Sequence, residues 1–327
     1  MEPIASLSLD LDNKWSYLKT HGDPGWESFP SYLDVLVPRV LDFLKARHLT
    51  ITFFIVGQDA ALDKHHELLQ AIAAAGHEIG NHSFRHEPWL HLYSKAEIKT
   101  ELAMAEEHIE RATGYKPVGF RGPGYSLSHT LLEELIRRGY QYDASTLPNL
   151  LAPLARAYYF TTARFNPEQR RQRRALGGTL RDAFRPITPY RWQTDRGTFI
   201  ELPVTTLPVF RVPIHMSYLL CLSVLAPTLA AQYFNTALGL CRLTGVQPSL
   251  LLHPTDFLGC DDTRDLSFFP AMKLPSEKKL ELVSCFLHRL CDQFTVLTLR
   301  QHAHKAIEAS ILPVVEPNFH QISNSSP

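Results

Sequence analysis

Five short segments carry residue types that could meet at one reaction centre. The first is residues 6–13, Ser-Leu-Ser-Leu-Asp-Leu-Asp-Asn. In a strand, residues two apart face the same way, so Ser8, Asp10 and Asp12 share one face and Leu7, Leu9 and Leu11 the other. Neighbouring carboxylates raise each other's pKa, and a cation or a catalytic use relieves that cost. The second segment holds His82 and His86 in an H-x-x-x-H spacing, with His77 on the strand before them. On a helical turn, two imidazoles four apart can converge on one metal ion. Asp12 (or Asp10) with His82 and His86 would leave positions open for water. That set suits a divalent ion acting as Lewis acid and water activator. A polar strand end and surface histidines are the bland alternatives. Against them stands the placement after strand-like runs, where parallel β/α folds keep their active sites.

The third segment, residues 119–126, reads Gly-Phe-Arg-Gly-Pro-Gly-Tyr-Ser. Its glycines let backbone pass close to a ligand, and Arg121 can pair with a carboxylate. The fourth is Tyr-Asp-Ala-Ser at 142–145. In the fifth, residues 249–257, an apolar run delivers His253 just before Pro254, a position suited to general acid work.

The elements that must position these residues alternate. Strands are expected at Ile4–Leu11, 50–56, 77–81, 117–121, 140–144, 199–204, 249–253 and 295–299. Helices are expected at 32–48, 62–75, 95–113, 131–138, 218–243 and 277–291. Pro38 marks a kink or early boundary in its helix. Ser94 with Glu97 forms a capping box, and Gly114 stops the helix that follows. Alternation predicts a parallel sheet, and seven or eight such units favour a closed, distorted β/α barrel over an open doubly wound sheet. The expected organisation is one domain over 1–315, with 150–215 a variable insertion or covering segment before the last strands. Residues 316–327 read as a flexible tail.

Across 327 residues, 33 Lys+Arg balance 33 Asp+Glu, which gives no electrostatic case for a nucleic-acid partner. Five cysteines without a C-x-x-C spacing read as reduced, mostly buried thiols. The N-terminus lacks a basic and apolar leader pattern, so a cytoplasmic location is expected. The apolar stretch 218–231 is too short and interrupted to span a membrane. The basic run at 166–178 reads as a solvated helix, with a lipid-headgroup contact as the sharper alternative.

In this order the five segments resemble the polysaccharide deacetylase family, the NodB homology domain of carbohydrate esterase family 4. The resemblance covers roughly residues 4–145 and resumes at 249–257. It takes the D-x-D form of the first motif, which the notion of an intracellular branch accompanies. It implies a distorted β/α barrel of the NodB type and metal-dependent N- or O-deacetylation. Asp10 would be the general base, and Asp12, His82 and His86 the metal ligands. Arg121 would orient the base, and the backbone near Gly124 and Tyr125 would hold the oxyanion. Asp143 would tune its surroundings, and His253 would be the general acid. Zinc is the expected divalent ion, although this donor set accepts others. The chain departs from the family pattern in three places. Leu11 separates the aspartates and Asn13 follows them. Arg-Gly-Pro-Gly-Tyr replaces Arg-Pro-Pro-Tyr-Gly. No tryptophan follows Asp143.

An acetylated sugar or oligosaccharide is the expected substrate. Trp89 is offered as a stacking face. His215 is offered as a pocket-lining residue in a covering segment, with the apolar 218–231 stretch receiving a lipid on the sugar. A homo-oligomer stays open. Two other classes compete: a C–N hydrolase of a small amide on the same fold, and an inactive carbohydrate-binding protein. A metal pair at His302 and His304 fits poorly, because a helix there would splay the two rings apart.

Overall fold

Strand β1 (Ile4–Leu11) is buried at every position. Ala5, Leu7, Leu9 and Leu11 join the main apolar core, while Ser6, Ser8, Asp10 and Asp12 occupy the opposite face. The alternation read from the sequence is therefore real, and both faces are covered, as expected of a central strand in a parallel sheet. The protein is described by a computed structural model over residues 3–151, 182–309 and 311–319. The basic run at 166–178 lies outside the described residues.

The remaining strands are β2 (Thr52–Ile55), β3 (Glu78–Asn81), β4 (Gly119–Phe120), β5 (Tyr142–Asp143), β6 (Tyr190–Thr194), β7 (Gly197–Glu201), β8 (Ser249–Leu252), β9 (Thr295–Leu297) and β10 (Val314–Val315). Their order is β10-β6-β7-β5-β4-β3-β2-β1-β8, with β9 pairing the start of β1. Neighbours run parallel except for the β6–β7 hairpin. Among the described residues β8 pairs β1 alone, so the sheet stays open and the expectation of a closed barrel is corrected. The physical reason lies after β7. Instead of a ladder, Thr205 crosses the gap to β8, its N–H donating to the Ser249 carbonyl at 3.0 Å and its hydroxyl accepting from the Ser249 N–H at 2.6 Å.

The helices are α1 (Lys14–His21), α2 (Leu33–Lys45), α3 (Gly57–Ala60), α4 (His66–Ala74), α5 (Lys95–Thr113), α6 (His129–Arg138), α7 (Met216–Leu225), α8 (Pro227–Thr244), α9 (Ser276–Cys291) and α10 (Leu299–Ala309). Ser94 and Glu97 make both bonds of the capping box of α5. Helix α2 continues through Pro38. The single helix expected at 218–243 is two, because Pro227 cannot donate a helical hydrogen bond and starts α8 instead. Helix α1 was not expected; Asn13 creates it by capping the Lys14 N–H at 2.8 Å. The cysteines are free, yet only Cys241 is buried and Cys260, Cys285 and Cys291 are exposed, which corrects the reading of mostly buried thiols. Helix α10 does splay its histidines: His302 is buried against Ser6 and Gln247, while His304 reaches Gln141. No helix among the described residues is long and apolar enough to cross a membrane.

Candidate active site

The C-terminal ends of β1, β3, β4 and β8 open onto one pocket of about 190 Å³. Asp10, Asp12, His82, His86, Gly124, Tyr125 and His253 all line it. Asp10 and Asp12 arrive from the polar face of β1. Asn13 fixes the chain just after them, its amide donating to Asp59 at 2.7 Å and to Ser31 at 3.0 Å. Trp15 donates to the same Asp59 oxygen at 3.0 Å. Burial pushes the Asp59 carboxyl up to about 7 against these bonds.

Asp12 Oδ1 lies 2.9 Å from His86 Nε2 and 3.3 Å from His82 Nε2. Donor atoms of these three residues lie within 4.8 Å of one another. Burial would raise the Asp12 carboxyl, but His86 and His82 outweigh it and hold it well below the ordinary carboxylate range. On His82 burial opposes the charge, while Asp10 and Asp12 raise the imidazole. His82 Nδ1 sits 2.7 Å from the Arg121 carbonyl. That contact requires a proton on Nδ1 and leaves Nε2 as the nitrogen that faces Asp12.

The segment from His82 to His86 is not the helical turn its spacing suggests. Ser83 and His86 adopt positive φ, 61° and 53°, so the chain doubles back and brings both Nε2 atoms to one side. Glu101, fully buried on α5, holds this loop. Its carboxylate accepts the Phe84 N–H at 3.0 Å, the Arg85 N–H at 2.5 Å and the Arg85 guanidinium at 2.8 Å.

Arg121 is completely buried at the end of β4. It donates to Asp10 Oδ1 at 3.2 Å and to the Ala144 carbonyl at 2.9 Å, with its guanidinium over the Phe54 ring. The turn after it is tight. A Cβ at Gly122 would sit 2.0 Å from the Ser126 carbonyl oxygen, and Gly124 has φ +58° against Pro88. Tyr125 follows at φ 62°, and its N–H already donates to Gly122 within the turn.

Asp143 points away from this centre into a buried acid pair. It accepts the Ser145 hydroxyl at 2.6 Å and faces Glu201 across the β5–β7 pairing. Burial, then the Glu201 charge, push its carboxyl well above the usual range. The Ser145 hydroxyl in turn accepts the Gly122 N–H at 2.8 Å, which ties the pair to the turn beside Arg121. Trp192, from β6, donates to Glu201 at 2.9 Å. An indole thus supports the acid pair although no tryptophan follows Asp143.

His253 follows β8, its Nδ1 lying 3.3 Å from the Ser217 hydroxyl. His215 caps the start of α7 with its ring 5.6 Å from that of His253. Burial, then His253 and Arg121, hold His215 well below its ordinary value. Trp89 does not appear in the pocket lining, where its neighbour Pro88 does. The aromatic wall comes instead from Tyr17 and Phe269, in edge contact at 5.5 Å. The sequence singled out neither Phe269 nor Glu101, Glu201, Ser217 and Asp256.

Comparison with known proteins adds an independent line. A family model described as polysaccharide deacetylase matches residues 23–142. The match takes in the second and third of the five motifs. The matched segment contains His82, His86, Arg121, Gly124 and Tyr125; Asp10 and Asp12 precede it, and Asp143 and His253 follow it. The peptidoglycan deacetylase of Helicobacter pylori is 30% identical over 159 residues, 46% of this chain and 52% of that protein. The peptidoglycan-N-acetylmuramic acid deacetylase of Bacillus subtilis is 35% identical over 111 residues, 34% of this chain and 41% of that protein. The chain thus spans about half or less of these curated relatives. A presumed polysaccharide deacetylase from Mycobacterium smegmatis shares the fold across 98% of this chain and 99% of its own, with a TM-score of 0.60 at 19% identity. The two share a mixed α/β architecture, and in this chain the sheet is open.

Proposed function

We propose that the protein hydrolyses the acetamide of an N-acetylated glycan, using a divalent ion held by Asp12, His82 and His86. The observation that carries this reading is the meeting of that triad, the Asp10–Arg121 pair and His253 in one pocket. The donor set fits such an ion. One carboxylate and two imidazoles converge, and Asp12 Oδ1 is a buried acceptor facing two Nε2 atoms. His86 Nδ1 also lacks a partner, so Nε2 is the nitrogen that addresses the shared centre. When bound, the ion, which we expect to be zinc, supplies Lewis acidity toward the acyl oxygen and makes water more acidic.

The remaining steps belong to the chain. Asp10 takes the proton of the attacking water, while Arg121 fixes its Oδ1 at 3.2 Å and so aims the other oxygen. The Gly124 turn faces the developing oxyanion, where oriented N–H groups are most effective. His253 protonates the leaving nitrogen, giving acetate and a free amine. Tyr17 and Phe269 offer the apolar wall a sugar ring requires. The relatives from Helicobacter pylori and Bacillus subtilis, both peptidoglycan deacetylases, support an N-acetylated glycan over a small amide.

Acetate release from N-acetylated glycan oligomers tests this. Asp10→Asn should lower kcat by about 10²–10⁴-fold, the range of a general base. An unimpaired Asp10→Asn enzyme would overturn the reading.

A further inference from the structure

Resting on that reading, we propose that Ser217 and Asp256 are positioning residues for His253. A hydrogen-bonded relay runs from His253 Nδ1–H through the Ser217 hydroxyl to the Asp256 carboxylate, and it reserves Nε2 for the leaving nitrogen. Ser217 donates to Asp256 Oδ1 at 2.7 Å and sits 3.3 Å from His253 Nδ1. A hydroxyl has one proton to give. Having given it to Asp256, Ser217 can only accept from the imidazole, so the relay assigns the hydrogen of neutral His253 to Nδ1, in competition with the Asp256 backbone N–H that also approaches this side chain. The proton that comes and goes is then the one on Nε2. Asp256 Oδ2 also accepts the His253 backbone N–H at 2.8 Å, so a single carboxylate fixes both the main chain and, through Ser217, the ring.

The relay takes the place of an acid that lies elsewhere. Asp143 bonds Ser145 and faces Glu201. Asp256 is buried, and under it Lys279 of α9 donates to the Thr255 and Leu258 carbonyls at 2.7 Å. Burial raises the Asp256 carboxyl above its ordinary value, against the opposing pull of His253, of the bonds from Ser217 and the His253 N–H, and of the Lys279 ammonium. The other charged or titratable groups around His253 are His215 at the start of α7, and Asp10, Asp12, Tyr17, His82, His86 and Tyr125 across the pocket. None of these bonds to the Ser217 hydroxyl, so the relay can be broken at Ser217 without touching them.

Histidine-selective 15N labelling of the full chain reads the tautomer directly, with His253→Gln assigning the His253 signals. Neutral His253 should carry its hydrogen on Nδ1 in the wild type, shift toward Nε2–H in Ser217→Ala, and return in Ser217→Thr. In acetate release, Ser217→Ala and Asp256→Asn should lower kcat about tenfold or more with KM changed less than about twofold, and Ser217→Thr should restore kcat. An Nε2–H tautomer in the wild type, or a tautomer unmoved by Ser217→Ala, would overturn the relay. An active wild type whose kcat survives Ser217→Ala would overturn it too. If the wild type releases no acetate yet shows the Nδ1–H tautomer and its loss in Ser217→Ala, the deacetylase reading fails and the relay stands.

Discussion

Asp10 and Asp12 sit two residues apart yet face different work because their neighbours differ. Asp10 meets a guanidinium, whereas Asp12 meets two imidazole nitrogens. In the proposed function the carboxylate facing two Nε2 atoms is the metal ligand, and the one held by Arg121 is the base. Asp12→Ala should therefore weaken divalent-ion binding by more than the roughly 10–100-fold that outer-shell changes cost, as read by calorimetric titration. Equal affinity in the variant would remove Asp12 from the ligand set. The period-two face of β1 made this pair legible, since alternation needs no tertiary information. Glu201 was not legible. It reaches Asp143 only through the β5–β7 pairing, and nothing local to either residue announces the other. Ser217 was hidden for the same reason, because its partner Asp256 is 39 residues away.

The loop between β3 and α5 shows how an element can serve a motif by a route its spacing does not suggest. Four-residue spacing predicts a helical turn, but Ser83 and His86 turn the chain with positive φ instead. Such backbone persists only where its surroundings over-determine it. Here Glu101 is that constraint, accepting two successive loop N–H groups and the Arg85 guanidinium. Glu101→Ala would leave the buried Phe84 N–H and the half-buried Arg85 N–H without their acceptor. It should cost about 3–5 kcal/mol in denaturant unfolding and lower metal affinity about tenfold. Unchanged stability and affinity would show that the loop holds itself. The capping box of α5 was readable from Ser94 and Glu97, whereas this clamp was not, because it depends on how α5 packs against the loop.

At the scale of the molecule, the alternation of strands and helices gave the parallel sheet and its order of growth. It did not show that the sheet stays open, with two hydrogen bonds between Thr205 and Ser249 standing where a β7–β8 ladder would close it. The central strand is also tied to the far end of the chain. His302 of α10 accepts from the Ser6 hydroxyl at Nδ1 and donates to Gln247 from Nε2. Burial lowers it from 6.5 to about 4. Between these values the unfolded chain binds a proton that the folded chain refuses. Stability from this residue is thus complete above pH 6.5 and falls as the pH drops toward 4, by about 3 kcal/mol in all. Denaturant unfolding of wild type and His302→Gln across pH 4–7 should show a steeper acid loss in the wild type. Parallel curves would contradict that assignment.

The central claim is that one divalent ion in the Asp12–His82–His86 site is required for deacetylation. The most direct measurement is acetate release from an N-acetylated glycan oligomer by the chelator-stripped protein, verified metal-free by elemental analysis and titrated with zinc. Release should be absent at the start and rise to a plateau at one equivalent per chain. Undiminished release by the verified metal-free protein would contradict the account.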